Sequence, residues 1–181
     1  PTRAIRVVVP YTAGGNTDVI TRGIMKELSQ RLGQPIVVDN KPGANSILGT
    51  DLVAKSPADG YTLLVAIGAF SNNRALYKKL PYGATDLAPI SLLTRTSLVL
   101  ATGLPGVKSL EDLSRYAGTN SATYASSGVG STAHLLGERL ARTIPLKSAL
   151  WTLTEAGILP ISGSWFERGG PGLGTGLLLY S

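Results

Sequence analysis

The chain has 181 residues, 43% of them hydrophobic, with seventeen Lys and Arg against eleven Asp and Glu for a net charge of +6, one histidine and no cysteine. That composition is enough for a folded core in one ordinary domain or two small ones, and it excludes disulfides, thiolate chemistry and a His-rich metal site. The positive charge is scattered, without a dense run or interleaved aromatics, which argues for a surface receptive to small anions and against a nucleic-acid module.

No apolar run approaches the roughly 20 residues of a membrane helix, and the opening Pro1-Thr2-Arg3 carries no signal-peptide pattern. The expectation is a soluble chain, either cytoplasmic or a mature form whose leader has been removed.

Ile5 to Val9 reads as a first strand, nearly continuous in apolar residues as in a parallel strand buried on both faces. It breaks at Pro10 and passes through Tyr11, Thr12, Ala13, Gly14 and Gly15 to Asn16-Thr17-Asp18, a pattern of strand, tight loop and helix start. First-turn amides of a helix have no intrahelical acceptor and share the positive end of its dipole, so this junction suits a carboxylate or phosphate. Asp18 reads first as a structural acid at a helix start, able also to orient loop amides or a bound amino group.

Ile20, Ile24, Leu28 and Leu32 recur every four residues, predicting an amphipathic helix ended by Gly33 with Pro35 beyond. Ile36 to Val38 is the second strand. The turn-rich Asp39 to Asn45 leads to Ser46, expected to cap a short helix through Ile47, Leu48, Leu52 and Val53. Thr62 to Ile67 is the third strand, with Gly68-Ala69 in a loop at its C-terminal end, where open α/β sheets place ligands. Tyr61, Tyr77, Tyr82 and Phe70 read as core or hinge packing, and Trp151 and Trp165 as packing within the sheet lobe.

Two further strands are expected at Leu87 to Leu93 and Ser97 to Ala101, a lobe boundary near Ala101 to Gly106, and a helix from Ser109 to Tyr116. Ala122 to Ala125 then repeats the opening design: a short strand, the small-residue loop Ser126-Ser127-Gly128-Val129-Gly130, and Ser131-Thr132 as a cap before a helix carrying His134, Leu135, Leu136 and Leu140. Past Pro145 no clear second strand follows. The six glycines between Gly163 and Gly176 lead to Leu177 to Tyr180, which has no evident partner, so a loose tail is expected.

Two other chemistries are open at the second loop. Gly128 to Ala133 fits the G-x-G-x-x-A form of a dinucleotide loop, with Glu155 about where a ribose-binding acid is sought, but the missing second strand weakens it. Ser131 as nucleophile and His134 as general base lack a third group and a separate oxyanion hole, which disfavours a hydrolase. His134 reads as a partly exposed histidine near the cap.

Several motifs in one order, IRVVVPYTAGGNTD, LGQPIVVDNKPGANSILGT, SPADGYTLLVAIGAFSNN, ALYKKLPY and YASSGVGSTAHLLGE, resemble the Bug family of extracytoplasmic solute-binding receptors, which serve tripartite tricarboxylate transporters. The match runs in register from about Ile5 to about Leu140. It implies an α/β fold of the periplasmic-binding-protein type II, with two lobes that close like a Venus flytrap. The implied function is a periplasmic, non-enzymatic and monomeric receptor that captures a small carboxylate for membrane transporter subunits. Such a carboxylate would be a di- or tricarboxylate, an acidic amino acid or an aromatic acid, held without cofactor, metal or nucleic acid.

The ligand-binding residues the resemblance implies are Tyr11, Thr12, Ala13, Gly14, Gly15, Thr17 and Asp18 in the first loop, Gly68 and Ala69 in the third, and Ser126, Ser127, Gly128, Gly130 and Ser131 in the second lobe. After Leu140 the family segment that completes the second lobe is missing, and Thr152 to Ile158 with Ser164 to Phe166 resemble a part much further along. The expected architecture is therefore an internally shortened relative with an incomplete second lobe: residues 1–101 plus 151–181 as the first lobe and 102–150 as part of the second. The alternatives are a nucleotide-dependent α/β enzyme using Gly128 to Ala133, or a truncated receptor fragment without activity.

Overall fold

A computed structural model describes residues 1–152 and 176–180, with side chains through Leu146. It divides into two units, Pro1–Leu92 and Leu93–Ser181.

In the first unit, β1 (Ile5–Val9) lies between β2 (Ile36–Asn40) and β3 (Thr62–Leu64), and both pairings are parallel. The central position explains the unbroken apolar run: Val7, Val8 and Val9 are fully buried, each contributing about 1.5–3 kcal/mol by leaving water. Helix α1 (Asn16–Leu32) packs on β1 and β2, while α2 (Ile47–Ala54) packs on β1 and β3. Ile5, Val7 and Met25 form the core with Ile24, Leu28, Ile36, Val38 and Leu63 around them. Gly33 ends α1 in the left-handed conformation, φ 64°, as the sequence predicts.

Helix α3 (Gly68–Leu76) begins where a loop was expected, so Gly68 and Ala69 are first-turn helical residues. The third strand is shorter than Thr62 to Ile67, although Val65 N–H still bonds to the Val8 carbonyl at 3.0 Å. Leu87 to Leu93 is not a strand; Ile90 and Leu92 are 80% and 68% exposed, so no sheet neighbour covers them among the described residues.

The second unit has β4 (Val99–Thr102), α4 (Leu110–Thr119), β5 (Ala122–Ser126), α5 (Thr132–Ala141), β6 (Leu146–Thr152) and β7 (Gly176–Tyr180). Its sheet runs β4-β7-β5-β6, with β7 antiparallel to β4 and parallel to β5, and β5 parallel to β6. Ser109 caps α4 by accepting the Asp112 N–H at 3.1 Å. Leu104, Leu113, Ala117, Ala122, Tyr124, Ala133, Ile144 and Leu146 form the core.

Three expectations are corrected here. A strand does follow α5, because β6 extends the sheet beside β5. Leu177 to Tyr180 has partners on both sides, since β7 is inserted between β4 and β5 and its backbone groups complete both ladders. The same pairing puts 176–180, and β4 with it, in the second unit, with the boundary at Leu92 in place of residue 101. Glu155, Trp165, the glycines from Gly163 to Gly174, and the resemblances at Ser164 to Phe166 and beyond Thr152 lie outside the described residues, as does the Trp151 side chain.

Candidate anion-binding loops

Because β1, β2 and β3 are parallel, their C-terminal ends deliver the loop after Val9, the turn after Asn40 and the start of α3 to one edge of the first sheet. The first and third sequence-predicted loops therefore meet there. Along that edge Gly14 takes φ 80°, a conformation only glycine adopts without strain. Gly15 sits at an ordinary φ of −70° as the residue before the helix.

The glycine amides are used within the loop. Gly14 N–H bonds to Asp18 Oδ2 at 2.9 Å and Gly15 N–H to the Thr12 carbonyl at 3.3 Å. Asp18 is thus the clamp of the loop, 3% exposed. Arg22 Nε lies 3.0 Å from both of its oxygens, and Asn40 Nδ2 donates to Oδ1 at 3.0 Å and to the Tyr11 carbonyl at 3.1 Å. Arg22 Nη2 in turn donates to Asn40 Oδ1 at 2.8 Å. Burial alone would raise the Asp18 carboxyl, but the hydrogen bonds from Arg22, Gly14 and Asn40 outweigh it and hold the group below its ordinary 3.8.

With both glycine amides occupied, the donors left for a ligand are the first-turn N–H groups of α1, at Asn16, Thr17 and Asp18. No side chain caps them. Helix α3 also starts without a side-chain cap, so the Gly68 and Ala69 N–H groups at the same edge have no side-chain acceptor, Ala69 itself being buried. The two uncapped helix starts are the feature that suits this edge to an anion.

Beneath them the chain between β2 and α2 is strained: Ala44, Asn45 and Ser46 have φ of 47°, 51° and 72°. Buried Asn73 of α3 holds the segment, donating to the Asn45 carbonyl at 2.7 Å and accepting from Asn45 Nδ2 at 2.8 Å. Ser46 therefore does not cap α2 with its side chain, contrary to expectation: a capping hydroxyl requires an extended backbone, and this one is left-handed.

The Ser46 hydroxyl is buried, as are those of Tyr11 and Tyr82, and none of the three has a hydrogen-bond partner of ordinary geometry. Burial pushes the Tyr11 phenol up to about 12, partly offset by the neighbouring Ser46 hydroxyl and Ile67 backbone, so it stays a neutral donor. Tyr82 stacks on Phe70 with centroids 6.2 Å apart.

In the second unit the Ser126–Ser131 loop turns through Gly128 (φ 125°) and Gly130 (φ 83°). Ser131 caps α5, its Oγ accepting the His134 N–H at 3.1 Å, and Ser131 N–H bonds to the Gly128 carbonyl at 3.1 Å. Gly130 N–H bonds to His134 Nδ1 at 3.3 Å. Ser126 lies on the face of β5 that carries Ala122 and Tyr124, and is 7% exposed. Among the described residues this leaves the Gly128 and Val129 amides outside the internal bonding of the loop.

The support residues Arg22, Asn40, Asn45, Asn73 and His134 were not singled out as site residues from sequence. Asn40 carries the one available signal, a polar residue at the C-terminal end of the second parallel strand. A hollow along β1 and β2, lined by Ala4 to Arg6 and Val37 to Asp39, lies along the strands and not at their loop edge. Among the described residues no group of three or more His, Cys, Asp or Glu is placed to hold a metal, and no helix is long and apolar enough to cross a membrane.

The family model described as the tripartite tricarboxylate transporter family receptor, TctC, matches residues 20–149. The chain belongs to that family. BugT of Bordetella pertussis is 41% identical over 145 residues, covering 76% of this chain and 44% of BugT. A solved structure described as a periplasmic transporter superposes with a TM-score of 0.79 at 29% identity, covering 99% of this chain and 59% of that one. An R. palustris protein solved with adipate gives a TM-score of 0.76 at 35% identity, covering 84% of this chain and 53% of that one.

These likenesses bear out the Bug-type resemblance and the periplasmic-binding-protein type of α/β fold. This family member spans less than half the length of BugT.

Proposed function

We propose that this chain captures a small dicarboxylate in the periplasm, without turnover, for delivery to membrane transporter subunits. One observation carries the reading: α1 and α3 begin without side-chain caps at the same edge of a parallel sheet, so their first-turn amides present several donors and two positive dipole ends to one anion. Bonds from such amides to a carboxylate are charge-assisted and stronger than neutral ones.

Thr12, Ala13 and Thr17 line the first loop, and Gly68 and Ala69 supply the α3 amides. Tyr11, Gly14, Gly15 and Asp18 set the shape of that loop. In the second unit the Ser126–Ser131 loop is a second carboxylate-contacting loop. Membership in the receptor family and the adipate held by the R. palustris relative support a dicarboxylate as the ligand class.

The test is thermal unfolding of the chain against dicarboxylates, tricarboxylates, aromatic acids and acidic amino acids. A ligand at a hundred times its Kd adds about 2.7 kcal/mol to the folded state, a rise of roughly 5–10 °C for a chain this size. A selective rise with dicarboxylates is expected. A midpoint that no acid moves contradicts the proposal.

A further inference from the structure

We propose that His134 is the positioning residue of the Ser126–Ser131 loop, accepting the Gly130 amide proton on Nδ1 and so fixing which loop amides face a ligand. The inference rests on the reading of that loop as a carboxylate contact.

Three bonds define the turn. Ser131 N–H goes to the Gly128 carbonyl, Ser131 Oγ takes the His134 N–H, and Gly130 N–H goes to His134 Nδ1. The first two are a reverse turn and a helix cap that many serines would make. The third is particular to a residue at position 134 whose side chain reaches back one helical turn with an acceptor at its tip.

An Nδ1 that accepts requires the neutral ring to carry its proton on Nε2. Glu138 Oε1, one turn further along α5, lies 3.8 Å from Nε2, and the same oxygen accepts the Tyr124 hydroxyl at 2.5 Å. The Tyr124 ring is held against α5 because Gly137 has no Cβ to meet it. Tyr124 of β5 thus holds Glu138 by a hydrogen bond, and His134, one turn back on α5, takes the Gly130 amide. The His134 side chain is 16% exposed, so the packed sheet and helix set its orientation.

The functional consequence concerns direction. Gly128 and Gly130 both have positive φ, so at two of its positions the loop lacks the Cβ contacts that narrow the backbone to one conformation. Tying the Gly130 amide inward selects the conformer in which that donor is withdrawn and the Gly128 and Val129 amides remain. Without the Nδ1 acceptor the loop samples other conformers, and a ligand must order it on binding.

The experiment uses the whole chain and the variants His134→Ala and His134→Asn, the latter placing Oδ1 where Nδ1 was. Imidazole ¹⁵N spectra and Gly130 amide exchange are read without ligand, and adipate affinity, with the melting midpoint as a fold check, is read with it. The proposal expects the Nε2–H tautomer in the native chain. In His134→Ala it expects faster exchange at Gly130 and about tenfold weaker adipate binding, the scale of one lost hydrogen bond; His134→Asn should restore both. An Nδ1–H tautomer, or Gly130 exchange unchanged in His134→Ala, overturns it. Should the native chain bind no carboxylate, the reading of the loop as a ligand contact fails, while the tautomer and exchange data still decide the His134–Gly130 contact.

Discussion

The Asp18 carboxylate accepts the Gly14 N–H at 2.9 Å, so the acid in the first turn of α1 holds the loop that precedes its own helix. Arg22 and Asn40 anchor the same carboxylate from α1 and β2. Replacing Asp18 by Ala leaves the Gly14 amide, the Asn40 side chain and the Arg22 guanidinium without that acceptor. The expected loss is about 2–4 kcal/mol in urea unfolding, and Asp18→Asn should lose less because one carbonyl oxygen remains.

Acid should weaken the first unit through the same group. The Asp39 carboxyl is lowered chiefly by its hydrogen bonds from Arg6, against a smaller effect of burial, and Asp18 is lowered as described. With folded values below the ordinary 3.8, the unfolded chain binds more protons in that window, so stability rises with pH. The contribution is complete above the unfolded value and is lost as pH falls through the folded ones. Urea midpoints measured between about pH 5 and pH 2 should fall steadily, and less steeply in Asp18→Asn.

Gly49 is required by contact and not by dihedral angle. A Cβ there would lie 2.7 Å from Pro10 Cβ and 2.8 Å from the Lys41 carbonyl, both on segments that shape the loop edge. Gly49→Ala should cost about 1–3 kcal/mol as an overpacked substitution, despite the helix propensity that alanine adds. A variant as stable as the native chain would show that α2 can move away from β1.

Ser46 is the opposite case. Its left-handed backbone and its buried hydroxyl without a geometric partner both oppose folding. Ser46→Gly should raise stability by about 0.5–2 kcal/mol, read as a higher urea midpoint at unchanged slope.

The local features were legible because each is written in a few adjacent residues. The unbroken run of β1, the stop at Gly33, the helix beginning near Ser109 and the cap at Ser131 follow from spacing and side-chain chemistry alone. What escaped was pairing at a distance. Nothing in Leu177 to Tyr180 says that it inserts between β4 and β5, and the apolar pattern of Leu87 to Leu93 does not reveal that no strand receives it.

The loops proposed to contact the ligand were singled out for the same local reason. Their supports were missed because Asn40 reaches Tyr11 across 29 positions and Asn73 reaches Asn45 across 28. The clamp also changed the chemistry expected of the glycines: their amides shape the loop, and the donors move into the helix start.

The most direct test of that claim is a calorimetric titration of adipate into the native chain and into Asn16→Pro. Asn16 is the first residue of α1, preceded by Gly15 in extended conformation, so proline fits there and deletes one amide proton while leaving the helix intact. The account predicts saturable binding to the native chain and at least fivefold weaker binding to the variant, at equal or higher melting temperature. Equal affinities in the two proteins, or no saturable heat from either, would contradict the assignment of the carboxylate to the first-turn amides.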